Sequence, residues 1–286
     1  MDTVRTMTGT FALATSVRRR ETSGGDGPPD GRQGGSAVFD AEIKPGWDIN
    51  GNANGGYLMA IAGRAMAETA GRPPLTLTAH YLKPAPAGPC EVEVNMVRAG
   101  RRLATATGSL RMGDTEIIRL LGTFGEQTPG GPAHTREEPV DLPAYEDSAV
   151  PPPPTEGPKP AMFERLRIRL RPEDVGFRTG HPTGEARIDG WFAFADEEPV
   201  DAIALLLAAD AFPPAVFNTE LPVAWVPTVE LTVHVRGVPA PGPLRCSFVS
   251  RFIHDGLLDE EGAAAHGLID TDGSKKPAYN AFKRAR

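Results

Sequence analysis

The chain has 286 residues, 40% of them hydrophobic, and a formal net charge of -7. That length suits one large domain or two smaller ones with a real core. The acidic balance argues against a non-specific nucleic-acid binder, which would carry a basic face, although it leaves room for an anionic ligand held locally. The 2 cysteines, Cys90 and Cys246, give neither zinc spacing nor a disulfide framework, which points to a reducing cytoplasm. No apolar run approaches the roughly 20 residues of a membrane span. The short run Phe11-Ala12-Leu13-Ala14 precedes Arg18, Arg19 and Arg20, the wrong order for a secretory signal.

In chain order, residues 1–36 read as a disordered extension, because Ser23–Pro29 and Gly34-Gly35-Ser36 cannot supply a core. A first compact unit is expected over 37–125. It opens with a strand from Phe39 to Pro45 and the turn-forming cluster Gly51–Gly56. A helix from about Gly56 to Ala70 is apolar nearly all round, so it is buried, and Gly71 and Pro73 stop it. Four strands follow, over 75–83, 90–98, 102–111 and 115–124. Cys90–Val97 alternates apolar and polar, so one face is wet. Residues 126–160 read as a Pro/Gly-rich linker. A second unit is expected over 161–273, with strands near 163–170 and 186–195, a helix over Val200–Asp210, and strands near 223–236, 243–253 and 262–269. Residues 274–286 read as a basic tail, since Pro277 argues against a central strand.

Two stretches repeat. Leu77-Thr78-Ala79-His80 and Leu231-Thr232-Val233-His234 are each followed, eight residues after the His, by Gly-Pro, with a constant offset of 154 residues. Each follows an Ala-Ile-Ala run, Ala60–Ala62 and Ala202–Ala204. A helix-then-strands module used twice makes a pseudo-dimer in one chain. Helices kept to one face of antiparallel sheet make an α+β architecture.

Several residues stand out chemically. Val200, Ile203, Leu207 and Asp210 share a helix face, which puts a carboxylate on an apolar stripe. The carboxylate also lies in the last helical turn, where the macrodipole disfavours negative charge. Two penalties at one residue suggest a compensating role, although an Asp turned to solvent or capping the Pro213-Pro214 turn has the same spacing. Gly55 and Gly56 precede a helix, where exposed N–H groups bind anions or a developing oxyanion, and equally form an ordinary Asn-Gly turn. His80 and His234 occupy equivalent repeat positions with no Cys or carboxylate cluster around them, so no metal is expected. Cys246 lies in a core strand and makes a poor nucleophile.

The chain resembles the acyl-CoA thioesterase II (TesB-like) family over roughly residues 38–273. The likeness is carried by Asn54-Gly55-Gly56-Tyr57-Leu58, Leu77–Pro84, Gly100–Ala106, Leu206–Asp210 and Pro227–Leu231. It implies a double hotdog, two helix-plus-antiparallel-sheet repeats in one chain, each sheet wrapped around a central helix. It also implies an Asp, a Thr and a Gln that hold the attacking water. The Asp maps to Asp210 and the Thr to Thr228. No Gln follows the Asp272-Gly273 turn, where Asn280 is the nearest carboxamide.

The expected activity is hydrolysis of an acyl-CoA by an Asp-activated water, with coenzyme A entering as part of the substrate and no other cofactor. Gly55 and Gly56 would hold the thioester oxygen. His80 and Arg101, with Arg102 and Lys83 nearby, are candidate substrate contacts. The alternatives are a non-catalytic acyl-CoA or acyl-carrier binding hotdog, a hotdog dehydratase or hydratase using the histidines, and an assembly protein with open sheet edges. Hotdog sheets also pair edge to edge or back to back, which makes a homo-oligomer an expectation.

Overall fold

The computed structural model describes residues 9–21, 35–127, 140–153, 160–237, 239–265 and 279–285. The first described elements are a short helix α1 (Thr10–Ala14) and a strand β1 (Val17–Arg19). Then come β2 (Ser36–Ile43) and a two-stranded ribbon of β3 (Asp48–Ile49) and β4 (Asn52–Ala53). The long helix α2 (Gly55–Ala70) follows. Asn54 caps it, its Oδ1 accepting from the Tyr57 N–H at 2.9 Å, and Gly71 ends it in the left-handed region at φ 64°. Every residue from Gly56 to Met66 except Arg64 is buried, as a helix apolar on all sides requires. Four antiparallel strands complete the first half: β5 (Pro74–Tyr81), β6 (Gly88–Ala99), β7 (Leu103–Met112) and β8 (Thr115–Gly125). In β6, Val92 and Val94 point to the helix while Glu91, Glu93 and Asn95 face outward.

The second half holds β9 (Arg169–Leu170), β10 (Arg187–Phe192), the helix α3 (Ala204–Ala208), β11 (Thr228–His234), β12 (Leu244–His254), β13 (Leu257–Ala265) and β14 (Tyr279–Ala285). All twelve long-sheet strands form one sheet in the order β1-β2-β6-β7-β8-β5-β11-β14-β13-β12-β10-β9. Read outward from the β5–β11 seam, the two halves repeat one topology, a double hotdog. The seam sits where the repeat offset predicts. Thr78 and Thr232 face each other in register, their hydroxyls 3.0 Å apart and their positions 154 residues apart.

Five expectations need correction. Residues 9–21 of the supposed disordered extension are folded. Phe11 is 1% exposed, stacks on Phe194 at 5.0 Å and meets Trp47 edge-on. The Phe11 and Ala12 amides donate to Glu198, and β1 pairs with β2. The later linker, 140–153, docks on the second half: Trp191 Nε1 donates to Pro143 O, and Ala149 bridges to Leu170. Residues 279–285 of the basic tail form a central strand, β14, held by β11 on one side and β13 on the other. The helix expected over Val200–Asp210 is α-helical only at Ala204–Ala208, with Asp201 Oδ1 accepting from the Ile203 and Ala204 amides at its start. The expected strand at 163–170 is a 3-10 turn (Ala161–Glu164) followed by the two-residue β9. The Asp272-Gly273 turn lies outside the described residues. Among the described residues, no helix is long and apolar enough to cross a membrane.

Candidate active site

Helix α2 crosses α3 at its N-terminal end. A Cβ on Gly56 would stand 2.6 Å from Leu206 O and 2.9 Å from Leu207 O, so only glycine lets the two backbones meet. Asp210, two residues past α3, thereby reaches the amino end of α2. Its Oδ2 accepts from the Gly56 N–H at 3.0 Å and from Asn54 Nδ2 at 2.9 Å. Asn54 Nδ2 also donates to the Asp210 carbonyl at 2.8 Å. On the other oxygen, Oδ1, Asp210 accepts from Thr228 Oγ1 at 3.0 Å. The carboxylate is 7% exposed. The unfavourable end of α3 is thus offset by the favourable end of α2.

Thr228 owes its direction to a bulge. Leu231 and Val233 are buried against the helices, and strict alternation would point Val229 inward with them. The β11–β14 register shifts between Thr228 and Glu230, leaving Val229 45% exposed and bringing Thr228 to Asp210.

The two glycines divide their work. The Gly56 amide is committed to Asp210, which corrects its expected role as an oxyanion donor. Among the described residues, none accepts from the Gly55 N–H, the first of the helix, and Gly55 lines the cavity. The Gly55 carbonyl accepts from Tyr81 Oη at 2.9 Å. Burial, reinforced by the charge of Asp210, raises the Tyr81 phenol well above its ordinary pKa and keeps it a donor. Asn54 and Tyr81 were not among the candidates. Asn54 carried a signal as a helix N-cap, but its partner Asp210 lies 156 residues away.

These groups open on a cavity of about 1070 Å³, lined by Asn54, Gly55, Tyr81, Asp210 and Thr228 together with apolar side chains such as Leu58, Phe163, Phe212 and Trp225. Two expected substrate contacts lie elsewhere. His80 is exposed on the outer sheet face, between Glu230 and Arg119 in register, because Ala79 and Tyr81 take the inward positions of β5. Arg101 sits in the β6–β7 hairpin, whose carbonyls bind Arg72 just past the carboxyl end of α2. That places it about 24 Å, one helix length, from Asp210. His234 is also on the outer face, near Arg236. Cys246 is fully buried, and burial drives its thiol far above the ordinary range. Asn280 pairs with His234, six residues along β11 from Thr228, or about 20 Å away. The carboxamide that touches Asp210 is Asn54, from the first half.

The N-terminal domain model of the acyl-CoA thioesterases matches residues 43–125, and the C-terminal domain model matches 141–267. The chain belongs to the acyl-CoA thioesterase family. Uncharacterized proteins of Mycobacterium bovis and Mycobacterium tuberculosis are 26% identical to it over 255 residues, covering 82% of this chain and 86% of theirs. A crystal structure of a candidate thioesterase II from Thermobifida fusca superposes with a TM-score of 0.80 at 23% identity, covering 97% of both chains. A hot dog protein of unknown function from Alicyclobacillus acidocaldarius gives 0.73 at 20% identity, covering 97% of this chain and 98% of its own. The acyl-CoA thioesterase II TesB2 of Mycobacterium marinum gives 0.62 at 15%, covering 87% and 93%. At these identities the superpositions carry the fold, while the domain models carry the thioesterase family. The matched segments include Asn54, Gly55, Gly56 and Tyr81 in one model and Asp210 and Thr228 in the other, so the site is shared between both hotdogs.

Proposed function

We propose that this protein hydrolyses acyl-CoA thioesters, with Asp210 as the general base on water. The observation that supports it most is Asp210 itself: a nearly buried carboxylate beside a large cavity, gripped by Asn54, Gly56 and Thr228. Water would lie against the Asp210 carboxylate and the Thr228 hydroxyl, whose O–H donates a hydrogen bond to Asp210 Oδ1 and whose lone pairs are left to orient the water. Asp210 takes one water proton as the oxygen attacks the thioester carbon. The Gly55 N–H, at the positive end of α2, receives the developing oxyanion. Collapse breaks the C–S bond, the thiolate of coenzyme A takes the proton back from Asp210, and the free acid leaves. In this scheme Asn54 does what the family's Gln does. A thioester is already an activated acyl group, so the scheme calls on no cofactor beyond the coenzyme A of the substrate.

The departure from the family's Gln favours a second reading, a binder that holds acyl-CoA without turnover. A dehydratase or hydratase is disfavoured, because His80 and His234 lie on the outer face of the sheet. Free-thiol release from short-, medium- and long-chain acyl-CoAs separates the readings. Wild type should release thiol, and Asp210→Asn should lose about 10²- to 10⁴-fold in kcat. Absence of release from wild type, with a melting temperature raised by acyl-CoA, would leave the binder reading.

A further inference from the structure

Among the described residues, three charged side chains line the cavity: Asp210, Lys83 and Arg178. Two of these three charges are positive, in a chain whose net charge is -7. Arg178 is the unusual member. It stands at the end of a 3-10 segment, Pro172–Thr179, with its guanidinium over the Phe177 ring at 5.0 Å. Its Nε is buried without a hydrogen-bond partner, and no described residue forms a hydrogen bond or ion pair with the guanidinium. Other partly buried arginines are answered: Arg171 pairs with Asp174 and Asp189, and Arg64 donates to Thr15. Burial also lowers the pKa of Arg178 from its ordinary value, the mark of a desolvated cation without a counter-charge. Desolvating a guanidinium costs stability unless an anion answers it.

We propose that Arg178 binds an oxyanion of the substrate, either a phosphate of the coenzyme or a carboxylate on the acyl group. The proposal rests on the thioesterase reading for the identity of the ligand. The planar fork of guanidinium suits both anions bidentately, and the lack of a partner among the described residues leaves its donors to the ligand. Lys83 adds a second positive charge to the same cavity, which attracts anions ahead of contact.

The test compares wild type with Arg178→Gln on three substrates: octanoyl-CoA, octanoyl-N-acetylcysteamine, which has no phosphate, and an ω-carboxyoctanoyl-N-acetylcysteamine. A KM raised about tenfold or more for octanoyl-CoA alone, with kcat within about twofold, identifies the coenzyme phosphate. The same rise for the ω-carboxy substrate identifies the acyl carboxylate. Unchanged KM on all three overturns the proposal. The melting temperature should stay within about 3 °C of wild type or rise, because no hydrogen bond or ion pair among the described residues is lost, only the contact with the Phe177 ring. Arg178→Met, which keeps the apolar stem over Phe177, serves if the Gln variant fails to fold. If wild type turns over nothing, the hydrolase reading fails, and calorimetry with octanoyl-CoA and the ω-carboxy thioester still decides on Arg178. An affinity about tenfold weaker in the variant for either ligand supports the proposal, whereas equal affinity or no binding by wild type overturns it.

Discussion

Asp210 stands where local rules are against it, just beyond a helix carboxyl end and almost out of water. Contacts from the other half of the chain make it tolerable there, since Gly56 and Asn54 give it two donors at the amino end of α2. Asn54 serves two purposes at once: its oxygen caps the helix and its nitrogen holds the carboxylate. Asn54→Asp separates them. An aspartate still caps the helix, but it removes both donors and sets a second negative charge beside Asp210. We expect kcat to fall about 100-fold or more with far-UV circular dichroism unchanged. Full activity in this variant would remove Asn54 from the mechanism. The carboxylate and hydroxyl were legible before the structure, Asp210 from its place on an apolar stripe and Thr228 only from the family likeness. The carboxamide was not, because it comes from Asn54 of the first half, 156 residues from Asp210 along the chain.

At the scale of elements, α1 shows how a short signal is hidden by its surroundings. Phe11-Ala12-Leu13-Ala14 is too short to predict a core element, and the Gly-rich sequence after it suggests disorder. Yet Phe11 fills a space between Trp47 of the first half and Phe194 of the second, and Tyr57 Oη donates to Ala14 O at 2.9 Å. The segment therefore braces α2, the helix whose amino end holds the Asp210 carboxylate. Phe11→Ala should cost about 3 kcal/mol, read as a lower urea midpoint with an unchanged m-value. A midpoint equal to wild type would mean that α1 does not contribute to the core.

The whole molecule is a sheet read the same way from its centre, with β5 and β11 at the seam. In the first half β8 lies next to the seam strand, and β14 takes the equivalent place in the second. Ending the chain before Tyr279 would strip the ladder partner from both β11 and β13 and expose two interior edges. Such a truncation should be insoluble or aggregated by size-exclusion chromatography, whereas a tail lying off the fold could be removed at no cost to the melting temperature. The same pairing shapes the candidate site, because the shift in register against β14 is what presents Thr228 to Asp210.

By itself the sequence determined what depends on near neighbours and on period: the buried helix α2, the alternating strands of the first half, and the duplication whose 154-residue offset became the Thr78–Thr232 seam. Tertiary structure decided which of two adjacent glycine amides meets Asp210, which face of β5 His80 takes, and that a basic, Pro-preceded segment closes the sheet. Each of these turns on register or on contacts between residues distant in the chain. A shift of one position moves every side chain of a strand to the other face, and composition does not encode that shift.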